Sequence, residues 1–161
     1  MGTGSLTADC LDRGARWRAG FPAKVAATGA GILAAAEAGD YGLLRPWLDP
    51  SVFLSDLGFG TDEPDPIGRW EQLGLEPLRT VHALLQMTPS ERQTNEGLLY
   101  PWPRYSTETT SGALDPRDRD LFLSVMSPKE IADLFAGDLG YNGPRLGLRD
   151  GTWWFFISGG A

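Results

Sequence analysis

Residues 144–158 read PRLGLRDGTWWFFIS, and at their centre stands Asp150–Gly151, the kind of pair preferred by a two-residue type I′ turn. Such a turn needs positive φ at both positions, which Gly adopts without cost and Asp tolerates. The segment is therefore expected to form a β-hairpin. With a two-residue turn, Leu148 faces Trp153, Leu146 faces Phe155 and Pro144 faces Ile157 on one side of the ribbon, which is the core side. On the other side Arg149 faces Thr152, Gly147 faces Trp154 and Arg145 faces Phe156. Gly147 leaves room for the indole of Trp154, and Arg145 and Arg149 lie diagonal to it, close enough to stack. A face that carries both arginines and large aromatics is either half-covered by another element or lines a cavity.

The rest of the chain breaks into short elements. It has 161 residues with 21 glycines and 12 prolines, above average usage but below the level that marks disorder. With 42% hydrophobic residues there is enough apolar surface for a core. Residues 1–20 read as a loose leader, and residues 21–161 as a single domain. The alanine-rich run from Ala23 to Ala38 is expected to be a helix stopped by Gly39, with Gly29 and Gly31 small enough to let a neighbouring element approach closely. A short helical turn near Tyr41–Leu44 and a strand over 52–57 follow. The stretch 58–68 has loop composition, and Pro77 to Met87 has helical spacing. Thr88, Pro89, Ser90 and Glu91 resemble a helix start, as do Asp115, Pro116, Arg117 and Asp118. Ser127, Pro128, Lys129 and Glu130 form the most complete capping box, with Gly137 as the expected stop. The run 98–105 is extended by composition, but Pro101 and Pro103 remove two backbone donors, so an edge strand or polyproline segment is expected. The resulting fold class is α+β: helices packed on a curved, mostly antiparallel sheet that ends in the hairpin.

Acidic residues outnumber basic ones by 21 to 14, giving a net charge of −7, the wrong sign for binding nucleic acid through its phosphates. No run is long and apolar enough for a membrane span. The single cysteine, Cys10, provides neither an internal disulfide nor a thiolate metal site, and the sequence implies no cofactor. Leu6 to Cys10 faintly resembles a lipoprotein cleavage site, but Asp9 replaces the small residue expected there. The compartment is left open: cytoplasmic, or exported with a signal removed.

The chemistry-bearing residues are few. His82 is the only histidine, which excludes a histidine-rich metal site; it is either a hydrogen-bonded helix residue or a general base paired with a carboxylate. Asp62, Glu63 and Asp65 lack EF-hand spacing and read as a solvated loop. Tyr100 and Trp102 alternate onto one side of an extended segment, where planar rings can stack on a sugar, an apolar ligand or a protein partner. The competing expectation is that these rings close the core while the prolines guard an edge against aggregation.

The alanine-rich first helix, the step Gly39–Asp40–Tyr41 into Leu43 and Leu44, the strand at Val52–Phe53 and the closing Asp150–Gly151–Thr152–Trp153 hairpin together resemble the cystatin-like cone fold of the NTF2-like superfamily. Tyr100–Pro103 combined with Tyr141, Asn142, Gly143 and Arg145 is also similar to small uncharacterised bacterial proteins, some of them exported. The superfamily resemblance implies a cone-shaped architecture and no particular activity, since its members include isomerases, dehydratases and non-catalytic binders. The expected function is a non-catalytic ligand-binding or protein-interaction domain. Its small-molecule or protein partner would meet an aromatic-lined cavity or groove formed by Tyr100, Trp102, Tyr141, Arg145 and Trp154. The alternative is a small cofactor-independent hydrolase or isomerase using His82 with a carboxylate.

Overall fold

A computed structural model describes residues 20–55, 64–74, 76–106, 114–136 and 140–158. Helix α1 (Ala23–Ala38) buries Val25, Ile32 and Leu33 and ends at Gly39 in the left-handed conformation, where the N–H groups of Gly39 and Asp40 return to the carbonyls of Ala36 and Ala35. Asp40 then caps the single turn α2 (Tyr41–Leu44), its carboxylate accepting from the N–H groups of Gly42 and Leu43. A 3-10 turn over Arg45–Trp47 brings the Trp47 indole against Gly31, so closely that a Cβ there would overlap the ring. The expected strand over 52–57 is reduced to β1 (Leu54–Ser55), with residues 56 and 57 outside the described part.

Two expectations between residues 58 and 94 are corrected. The stretch read as a loop to Gly68 already contains the start of helix α3 (Pro66–Leu73), because Asp65–Pro66 is an N-cap followed by proline at N1; the Asp65 carboxylate accepts from Gly68 N–H and pairs with Arg45 at 3.0 Å. Asp62 and Glu63 lie outside the described residues. Helix α4 (Pro77–Leu85) is found where its spacing placed it. The segment Thr88–Glu91 opens no helix, because Arg92, Gln93 and Thr94 offer no apolar face for a helix to bury. It runs extended instead: Ser90 N–H donates to Pro101 O, Arg104 N–H donates to Thr88 O, and the chain continues into β2 (Arg92–Thr94).

Strand β3 (Gly97–Trp102) leads through a 3-10 turn at Arg104–Ser106. Next come α5 (Pro116–Leu123), capped by Asp115, and α6 (Pro128–Ala132), with a further 3-10 turn over Asp133–Phe135. The capping box at α6 is complete, Ser127 Oγ accepting from Glu130 N–H while the Glu130 carboxylate accepts from Ser127 N–H. Gly137 lies outside the described residues. The hairpin of β4 (Arg145–Arg149) and β5 (Thr152–Ile157) closes the chain, with Asp150 and Gly151 both at positive φ as the type I′ turn requires.

These strands form one sheet in the order β1-β5-β4-β3-β2, with β1 parallel to β5 and all other pairs antiparallel. The fold is α+β. Strand β3 is internal, contrary to the expectation of an edge strand. Proline is tolerated there because β2 ends opposite Leu99. Pro101 turns its carbonyl, and so also the place of its missing N–H, toward the side where β2 has run out, leaving the ladder to β4 intact.

The hairpin register is also corrected. Arg149 pairs with Thr152 and Leu148 with Trp153, but the register then slips: Gly147 pairs with Phe155, Leu146 with Phe156 and Arg145 with Ile157. Trp154 is the extra residue of a β-bulge. Gly147 therefore makes room for Phe155 rather than Trp154, and Phe156, not Phe155, enters the core beside Trp153. That core is one cluster, to which each of α1 to α6 contributes apolar residues, together with Tyr100, Trp102, Leu146, Leu148, Trp153 and Phe156 from one face of the sheet. Phe53 bridges it, its ring centroid 4.8 Å from Trp153 and 5.9 Å from Trp70.

Candidate binding face

The opposite face of the sheet is defined by strand alternation and the bulge. In register on it stand Arg92, Leu99 and Pro101 from β2 and β3, Arg145, Gly147 and Arg149 from β4, and Phe155, Ile157 and Leu54 from β5 and β1. Trp154 joins them, since the Arg149 guanidinium lies 4.3 Å from its ring centroid. Phe155 packs edge-on to Trp154 at 6.0 Å and lies over Gly147, which Leu99 also approaches. Leu99 is buried yet lies outside the core cluster, so it belongs to a second, smaller apolar group on this outer side. An antiparallel sheet with one solvated face normally presents polar residues there. Here Leu54, Trp154, Phe155 and Ile157 are only half-buried, and none packs against the core cluster.

The five residues singled out from the sequence divide between the two sides. Tyr100 and Trp102 are buried in the core face, Tyr100 edge-on to Phe21 at 4.6 Å. Tyr141 is buried among Tyr105, Phe122 and Phe135, and its hydroxyl donates to Pro144 O at 2.6 Å; burial pushes its phenol well above the ordinary value. Arg145 donates to Tyr141 O at 3.0 Å with its guanidinium 5.6 Å from that ring, and Trp154 stands on the outer face. A cleft of about 250 Å³ beside Tyr141 is lined by Met126, Glu130, Asp133, Leu134, Asn142 and Gly143 among others, without an aromatic ring. The sequence reading missed Phe155, Leu99, Ile157, Leu54 and Arg92. A usable signal was present: four aromatics in a row at 153–156 cannot all be placed by simple alternation against a one-sided core.

His82 is half-buried on α4. Its Nδ1 lies 3.1 Å from Gln86 Nε2, and burial lowers its pKa while the more distant Glu37 opposes this. No carboxylate among the described residues hydrogen-bonds it. A different acid is buried: Asp118, in the first turn of α5, accepts from the Tyr105 hydroxyl at 2.7 Å. That hydroxyl accepts in turn from Asp115 N–H and from Arg104. Burial raises the Asp118 carboxyl, and it pushes the Tyr105 phenol up to about 12. This network ties the two ends of segment 107–113 together through one hydroxyl. Among the described residues no group of three His, Cys, Asp or Glu side chains could hold a metal ion, and no helix is long and apolar enough to cross a membrane.

Gly147→Ala tests the packing of the outer face. The added methyl meets the Phe155 ring and lies 3.0 Å from Leu99, so the ring must swing away. The expected cost is about 1 kcal/mol, at the low end for overpacking because a side-chain end can yield, and denaturant unfolding measures it.

Compared with known protein families, curated proteins and solved structures, the chain matches none.

Proposed function

We propose that the chain is a non-catalytic binding domain, NTF2-like in its architecture, that engages its ligand or partner through the outer face of the sheet around Trp154. The observation that carries this reading is the bulge at Trp154, which sets two adjacent large rings on the side away from the helices. Half-buried apolar rings beside arginines, on a sheet face where polar residues are the norm, support a docking role. Arg149 supports the site from one side: it covers one face of the indole and pairs with Glu96, which holds the indole in place before anything binds. Tyr100, Trp102 and Tyr141 serve the site indirectly, as the packed layer beneath it.

A thermal-shift screen of apolar and aromatic ligands on the wild type and Trp154→Ala tests this reading. The expected result is a class of ligand that raises Tm in the wild type and loses most of that effect in the variant. Shifts of equal size in both proteins, or none in either, contradict it.

A further inference from the structure

We propose that the outer sheet face docks an acidic amphipathic helix supplied by another protein. This rests on the binding-face reading above and adds the chemistry of the occupant. The face is apolar at its centre, with Leu99, Trp154, Phe155 and Ile157, and its strand positions carry Arg92, Arg145 and Arg149 but no acid. That is the reverse of the chain as a whole, which carries 21 acids against 14 basic residues. Among the described residues Arg149 finds a carboxylate in Glu96, whereas none reaches Arg92 or Arg145 within salt-bridge distance; Arg145 is held instead by the carbonyls of Tyr141 and Gly143. An occupant with apolar groups toward the sheet and carboxylates at its flanks would meet both features.

The same charges argue against a second copy of this chain. Stacking two such faces brings six arginines together with no strand-borne acid between them, a like-charge juxtaposition that suppresses pairing. A helix suits the face because each described α-helix places buried apolar residues in the core cluster, so that among the described residues no helix packs on this side of the sheet. One added helix would complete a third layer.

The test is selection of a display library of helical peptides, randomised at solvent-facing positions, against the full chain, with counter-selection against Trp154→Ala. The inference predicts enrichment of Asp and Glu flanking an apolar stripe. It further predicts that the selected peptide binds at least tenfold more weakly to Arg92→Glu, whose side chain is exposed and supports no packing, and more weakly at raised salt. Trp154-dependent binders enriched without regard to charge, or enriched in Lys and Arg, would overturn the acidic helix while leaving the binding face standing. Failure to obtain any Trp154-dependent binder would overturn both. Sedimentation of the free protein supplies another arm: a monomer is expected, and a dimer abolished by Trp154→Ala assigns the face to self-association instead. Tighter binding to anionic lipid vesicles than to the selected peptide likewise overturns the protein partner.

Discussion

Trp102→Ala is expected to lower stability by about 3–5 kcal/mol, the range for removing a fully buried aromatic side chain. The indole is 0% exposed and sits on the core face of internal strand β3, where its residue pairs with Leu146. At about 2–4 °C per kcal/mol for a domain of this size, Tm falls by roughly 6–20 °C. Trp154→Ala removes an indole of the same size from the other face and is expected to cost about 1 kcal/mol, mainly the stacking of Arg149. Scanning calorimetry on the two variants separates a structural tryptophan from a presented one. Similar losses in both would mean that the outer face is packed as tightly as the core.

The second large effect concerns Asp118, and its sign depends on the replacement. Asp118→Ala removes the acceptor of a buried hydroxyl and is expected to cost about 1–3 kcal/mol. Asp118→Asn keeps an acceptor toward Tyr105 and carries no charge, so at pH 7 it is expected to be neutral or stabilising. The reason lies in linkage: burial raises the folded-state pKa of Asp118 above its ordinary 3.8, so the folded chain holds this proton more tightly than the unfolded one. Its contribution is fully present below pH 3.8 and is lost as pH rises through the elevated folded value. The stability of Asp118→Asn relative to wild type should therefore increase with pH from about 4 upward. Urea unfolding at a series of pH values checks this. A difference that is flat with pH, or that shrinks as pH rises, contradicts the assignment of a buried, desolvated carboxyl.

Much of the secondary structure was legible because local chemistry and final structure agree at those points. The capping box at Ser127, the Asp–Pro start at 115–116 and the Asp150–Gly151 turn each satisfy their own backbone, whatever surrounds them. The close approach at Gly31 was legible in kind, though not its partner, Trp47. What could not be read was decided by tertiary context. An absent N–H such as that of Pro101 usually marks an edge; only the length of β2 shows that no bond is needed on that side. The hairpin register failed at Trp154 because a bulge is selected by packing on both faces, and a two-residue turn fixes only the first two pairs. That single slip exchanged Phe155 for Phe156 and set Phe155 beside Trp154 on the outer face. Tyr100 and Trp102 were correctly put on one side of a strand, but their side proved to be the inner one.

The central claim is that the face around Trp154 binds and the face around Trp102 does not. Titrating the 15N-labelled protein with 8-anilinonaphthalene-1-sulfonate, an aromatic anion suited to rings beside arginines, and following the indole N–H signals in proton–nitrogen spectra tests it most directly. The account predicts a saturable shift of the Trp154 signal while those of Trp70, Trp102 and Trp153, each 0% exposed, stay in place. A Trp154 signal that does not move while the probe binds elsewhere would contradict it.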